Sequence, residues 1–204
     1  MGDNGQINDN PPLVGASVRA AVSVGVFAAL IVAGSYVSVP LPMTPVPVAL
    51  QSLFVLLAAL ILGPKAGTLA VALFLAMGAI GLPVFAGGRG GPAHFFGPTG
   101  GYLLGYLPAA AVCGLLSQWG RRSGSIRVRT LIDAGAAAVG TAVLYACGVT
   151  VLAGVTGMTA PAAIAAGAVP FLIGDGVKIA VAAAVAPRVR ERLVSPEPTR
   201  PDEA

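Results

Sequence analysis

Two charged residues stand three apart inside an otherwise apolar run, Asp175 and Lys178 in PFLIGDGVKIAV. Residues three apart share one face of a helix. An ionisable side chain at the centre of a membrane helix costs about 2.5–3.5 kcal/mol on insertion scales, so such residues are functional candidates by default. Two readings are open: a structural ion pair that steers helix packing, or a pair of ligand-binding groups. Asp175 lies about six residues below the outer start of its segment, or ~9 Å at 1.5 Å per residue. Other polar residues gather at that level: Gln51 near the outer end of a second segment, Thr99 and Tyr102 in the first turn of a fourth, and Arg89 in a glycine-rich loop above.

The remaining chemistry-bearing residues point elsewhere. Asp133 sits near the inner start of a fifth segment, where a carboxylate complements the helix dipole and nearby arginines, a structural role. His94, the only histidine, lies in the glycine-rich loop without metal partners and reads as a loop residue, not a catalyst. Cys113 and Cys147 each fall inside apolar runs, as small buried hydrophobes. Zinc-type Cys/His spacing is absent, so no metal site is expected. There is no G-x-x-x-x-G-K-[ST] phosphate loop, GGRGG lacks the strand–helix context of a dinucleotide fingerprint, and no Ser-His-Asp or H-E-x-x-H pattern occurs. No catalytic residue and no cofactor is assigned.

The elements that must position these residues are dictated by composition. The 204 residues are 56% hydrophobic and only 10% charged, with a mean hydropathy of +0.86. A soluble domain carries about 25% charged residues, so most of this surface faces something other than water. A transmembrane helix needs about 20 apolar residues. Six segments qualify, at residues 16–39, 46–62, 66–82, 99–119, 130–155 and 169–186; residues 160–167 read as a short helix packed at the outer face. The fold class expected is an all-α membrane protein. One membrane domain covers residues 16–190, between disordered cytoplasmic tails at 1–15 and 191–204. The polar, acidic first fifteen residues do not read as a secretory signal.

The charges orient the bundle. Lys65, then Arg121, Arg122, Arg127 and Arg129, fall in the second and fourth loops; Arg188, Arg190 and Arg192 lie in the tail and Arg19 at the head. The other loops hold Arg89 alone. The positive-inside rule then places both termini in the cytoplasm. It also explains the net charge of +4 without nucleic acid, since the basic residues form no single patch. Trp119, at the inner end of the fourth segment, suits an interfacial anchor.

Small residues recur at spacing four: Ser17, Ala21, Gly25, Ala29 and Ala33 in the first segment, and Gly97, Gly101 and Gly105 in the fourth. Such faces let helices approach closely in lipid. Internal packing suffices for the fourth; the first is longer than one internal contact needs and suits docking to another membrane protein. Two loops are positioned to cover a site: VPLPMTPVPV, a stiff strap with four prolines, and VFAGGRGGPAHFFGPTGG.

At GGRGG…GPTGGYLLGY and PFLIGDGVKIA the chain resembles the BioY family, the substrate-binding S components of energy-coupling-factor vitamin transporters. The likeness spans roughly residues 16–190 and takes in VALQ after the proline strap and LGPKAGTLAVALFLAMGAIGLPVFAGG. It implies six transmembrane helices in the cytoplasmic membrane of a prokaryote and biotin bound near the outer face. The implied partners are a transmembrane coupling protein and two ATPases, so that ATP is used in trans. Carried over residue by residue, the family's acid and base fall on Asp175 and Lys178, its loop-three and segment-four ligand region on Arg89, Thr99, Gly101 and Tyr102, and its docking pattern on Ala29 and Ala33. The chemistry is compatible. An ionised carboxylate accepts from ureido N–H groups, Lys178 can donate to the ureido oxygen or pair with Asp175, and Arg89 is the available cation for the valerate. Thiamin or riboflavin would call for stacked aromatics, and only 6% of residues are aromatic. An intramembrane enzyme would need a second catalytic partner at matching depth. A purely structural subunit would not need polar groups clustered at one level.

Overall fold

The computed structural model describes residues 13–121 and 123–194. The described residues form seven α-helices: α1 Leu13–Tyr36, α2 Gln51–Leu62, α3 Pro64–Ala79, α4 Gly100–Arg121, α5 Ile126–Thr156, α6 Ala160–Gly167 and α7 Leu172–Val194. Among the described residues, four stretches are long and apolar enough to cross a membrane: Ser17–Tyr36, Gly100–Arg121, Ile126–Thr156 and the α6–α7 run Ala160–Arg192. Helices α2 and α3 are apolar but shorter. Most of each expected tail lies outside the described residues; at their inner margins α1 begins at Leu13 and α7 continues to Val194.

The second segment starts later than hydropathy indicates. Residues 46–49 are not helical; Val48–Ala49 forms strand β2, paired antiparallel with β1, Ser38–Val39. Pro45 and Pro47 cannot donate to a helix ladder, so helix begins only at Gln51. The strap expected between the first two segments is thus a short pinned hairpin, with Leu50 N–H donating to the Val37 carbonyl.

Helix α2 is central. It packs on α1, α3, α4 and α7, and Val55 through Ile61 are buried without interruption. Its C-terminus is buried too, and its last carbonyls need donors. Arg121 of α4 donates to the Leu60 and Ile61 carbonyls, and Arg190 of α7 donates to that of Leu60. Arg190 also bonds Asp133 of α5 at 3.0 Å, and Ser117 donates to the other Asp133 oxygen at 2.6 Å. Asp133 is completely buried. The structural role expected for it holds, but by a different route. Helix α5 starts at Ile126, so Asp133 lies two turns inside it and is held by an ion pair to α7 instead of by the helix dipole. Arg190, counted from the sequence among the basic residues of the tail, is only 8% exposed.

Helices α4 and α5 pack most closely, through glycines. A Cβ on Gly101 would come within 2.5 Å of the Cys147 carbonyl and of Val151, and one on Gly105 within 2.9 Å of Cys147. Gly97 does not extend this stripe; it lies in the loop before α4, facing the carbonyls of Ala93 and His94. Both cysteines are free thiols.

Candidate functional site

The loop joining α3 to α4 is built on Phe85. Its ring is 3% exposed and meets Phe74, His94 and Phe95 edge-on at 5.6–6.0 Å. Phe85 and Arg89 pair through both backbone groups, with Gly87 and Gly88 at φ 74° and 71° between them. Positive φ at two successive turn positions is why glycine occupies both. Ser35 and Tyr36 at the end of α1 donate to the Val84 and Pro83 carbonyls and tie the loop down. The turn presents the Arg89 side chain. Its Nε donates to the Ala86 carbonyl at 3.1 Å, and the guanidinium is otherwise unpaired among the described residues.

Below this loop opens a cavity with about 730 Å³ of empty space, including its open mouth. The strap, α2, the Phe85 loop, α4, α5 and α7 all contribute to its lining. Of the residues expected from the sequence, Asp175, Lys178, Arg89, Tyr102, Thr99 and Gln51 line it. Gly101 does not: it faces α5, and its part is to let α4 and α5 approach. Ala29 and Ala33 are exposed on α1, and Gly25, half-buried, has open space where a Cβ would project. This face points away from the buried stripe of Val24, Phe27, Ala28 and Ile31.

Asp175 occupies the first turn of α7, because a 3₁₀ turn, Val169–Phe171, precedes the helix. The helix therefore starts only three residues above the carboxylate, where the helix dipole favours negative charge. The Asp175 side chain accepts from Lys178 Nζ at 2.8 Å through Oδ1 and from the Tyr145 hydroxyl at 2.5 Å through Oδ2. Lys178 Nζ also donates to the Ala49 carbonyl at 2.8 Å and to Ser52 Oγ at 2.9 Å. An ammonium has three donors, and all three are used within the protein. Lys178 thus ties α7 to the strap and to the start of α2, while both Asp175 oxygens keep lone pairs for a guest.

Residues not assigned to the site from the sequence also line it, among them Ser52, Phe85, His94, Tyr106, Leu144, Tyr145 and Phe171. Tyr106 was legible in principle, since it follows Tyr102 by four and shares its face. Tyr145 had no local signal, because its partner Asp175 is 30 positions away. His94, a plain loop residue by sequence, faces the cavity against the Phe85 ring. Tyr102 lines the wall with its ring and donates its hydroxyl to the Gly167 carbonyl at 2.7 Å, fastening α6 over the site.

Long apolar helices around one charged, partly enclosed cavity define a membrane protein with a binding site for a small polar molecule. The model of the BioY family matches residues 7–195, and the chain belongs to that family. It is 42% identical over 180 residues to the "Biotin transporter BioY" of Thermotoga maritima, covering 85% of this chain and 97% of that protein. It is 45% identical over 177 residues to the "Biotin transporter BioY" of Rhodobacter capsulatus, covering 82% and 91%. A crystal structure of the S-component for biotin from an ECF-type ABC transporter superposes with a TM-score of 0.78 at 28% identity, covering 87% of this chain and 93% of that one.

Proposed function

We propose that this chain binds biotin and serves its uptake as the S component of an energy-coupling-factor transporter, without enzymatic activity of its own. The observation that carries this reading is the two-ended cavity. Acceptors at Asp175 stand at the inner end, and Arg89 stands at the mouth with its terminal nitrogens unspent. Biotin carries ureido N–H donors at one end and a carboxylate at the other. Asp175 takes ureido N–H, Arg89 and Thr99 meet the valerate, and apolar side chains including Val46, Leu103, Leu144 and Phe171 flank the rings. Lys178 holds Asp175 and the strap in register. Binding by the purified subunit, measured by calorimetry against biotin, thiamin and riboflavin, tests the reading; preference for another vitamin would overturn it.

In this reading six helices, α1 to α5 and α7, cross the cytoplasmic membrane of a prokaryotic cell with both termini inside. Helix α6 lies at the outer face. The positive charge of the second and fourth loops and of the tail supports that orientation. ATP is hydrolysed in trans by two ATPase subunits, and their work reaches this chain through a coupling protein seated on the exposed face of Gly25, Ala29 and Ala33. Cysteine accessibility at the two ends of α4 and α5 tests the orientation, with labelling of the α4–α5 loop from outside the cell as the contrary result.

A further inference from the structure

Most hydrogen-bonding groups around the cavity are already committed. Tyr102 donates to Gly167, Tyr145 to Asp175, and Lys178 spends three donors on Ala49, Ser52 and Asp175. Two neighbouring side chains at the inner end are not. Gln51 and Tyr106 are 5% and 6% exposed, and Gln51 Nε2 donates to the Tyr106 hydroxyl at 2.9 Å. Gln51 Oε1 has no donor, and among the described residues the Tyr106 hydroxyl has no acceptor. Buried polar groups are almost always paired, so two half-used groups side by side on a cavity wall point to a guest that completes them.

The two groups also specify what kind of guest. As assigned, the pair offers one acceptor, Gln51 Oε1, beside one donor, the Tyr106 O–H. If the amide is turned over, the hydroxyl donates to Gln51 and the pair offers an amide N–H beside a phenolic lone pair. Either way it presents at least one donor beside one acceptor, and no charge. A ring urea holds an N–H and its C=O on the same side, which is the complementary edge. The charged pair cannot supply this edge alone, because the Lys178 donors are spent and Asp175 only accepts. Thr99 also has a hydroxyl without a recorded partner, but it lies seven residues before Tyr106 along the chain, about 10 Å nearer the mouth by helix rise, where the carboxylate end belongs.

We propose that Gln51 and Tyr106 are specificity-determining residues that read one N–H/C=O edge of the ureido ring, leaving the second N–H to Asp175. This rests on biotin being the ligand. The test measures affinities of biotin and its 2′-thio analogue, whose C=S is a poor acceptor, for the purified wild-type subunit, Tyr106→Phe and Gln51→Met. Removing the hydroxyl should weaken biotin on the order of tenfold or more, as for a lost hydrogen bond to a buried group. It should weaken the thio analogue far less, because the carbonyl contact is already gone there, so the cycle is non-additive. Gln51→Met should instead weaken both ligands about alike, because its acceptor meets the ureido N–H that the thio analogue keeps; with the amide turned over the two variants exchange these patterns. Equal losses for both ligands in both variants would mean that the pair only shapes the wall, and unchanged biotin affinity in both variants would remove it from the site; either result overturns this inference while leaving biotin binding intact. Failure of the wild-type subunit to bind biotin would overturn the functional reading itself, and this inference with it.

Discussion

Among the described residues there are two buried acid–base pairs, and they are built for different purposes. Asp133 and Arg190 come from α5 and α7, and their network includes Ser117 of α4 and the Leu60 carbonyl of α2. They tie four helices at one end of the bundle, and neither residue lines the large cavity. Asp175 and Lys178 stand on one helix three residues apart, and they border the large cavity. A pair within one helix holds no second helix by itself; here Tyr145, Ser52 and Ala49 supply the cross-links. The difference teaches that charge inside an apolar bundle is not by itself a sign of function. A closed network that spends its carboxylate on neighbouring helices is a fastener, whereas one that leaves carboxylate lone pairs facing space is a candidate site.

The sharpest way to break this comparison is to cut each pair separately. Asp133→Ala leaves Arg190 as a buried unpaired charge, and breaking such a pair costs about 3–5 kcal/mol. Thermal unfolding in detergent should show a large loss of stability, while the fraction that remains folded binds biotin as before. Asp175→Asn should do the reverse: biotin affinity falls at least about tenfold, since a hydrogen bond to a charged group contributes about 1.5–3 kcal/mol, with little change in unfolding temperature. Lys178→Ala should also weaken binding, through loss of the strap contact at Ala49 and of the partner that orients Asp175. Normal calorimetric affinity in both outer-pair variants would make that pair structural after all.

A third test moves to the outside of α1. Trp at Ala29 or Ala33 should abolish co-purification of the coupling protein and ATP-driven uptake without altering biotin affinity, because these side chains point away from the cavity. Loss of affinity with assembly intact would place this face against the bundle. The smallest effect is expected in the covering loops. Hydrogen exchange in residues 86–97 and in the strap should slow when biotin binds. The change should be smallest near Phe85, which is already packed and hydrogen-bonded without ligand. Equal exchange in both states would mean that the loops are fixed walls and not a lid.

The sequence by itself determined the local facts. Apolar runs located the helices, although α2 and α3 are shorter than a full span, and the residues about the Gly63-Pro64 break separated α2 from α3. A three-residue spacing placed Asp175 and Lys178 on one face, and a four-residue spacing predicted the small exposed stripe of α1. These inferences need only helix period and side-chain polarity, properties carried by neighbours in the chain. Tertiary structure decided which groups were already satisfied. Lys178 reaches Ala49 and Ser52 across 129 and 126 positions, Asp133 meets Arg190 across 57, and Gln51 meets Tyr106 across 55. Gly101 proved to be a packing surface because Cys147 and Val151 cross it. No local pattern encodes such pairings, because they depend on how helices cross and on which face each turns inward. Whether a polar group holds the bundle together or waits for a ligand follows from what stands opposite it, and the fold alone brings the opposite side into place.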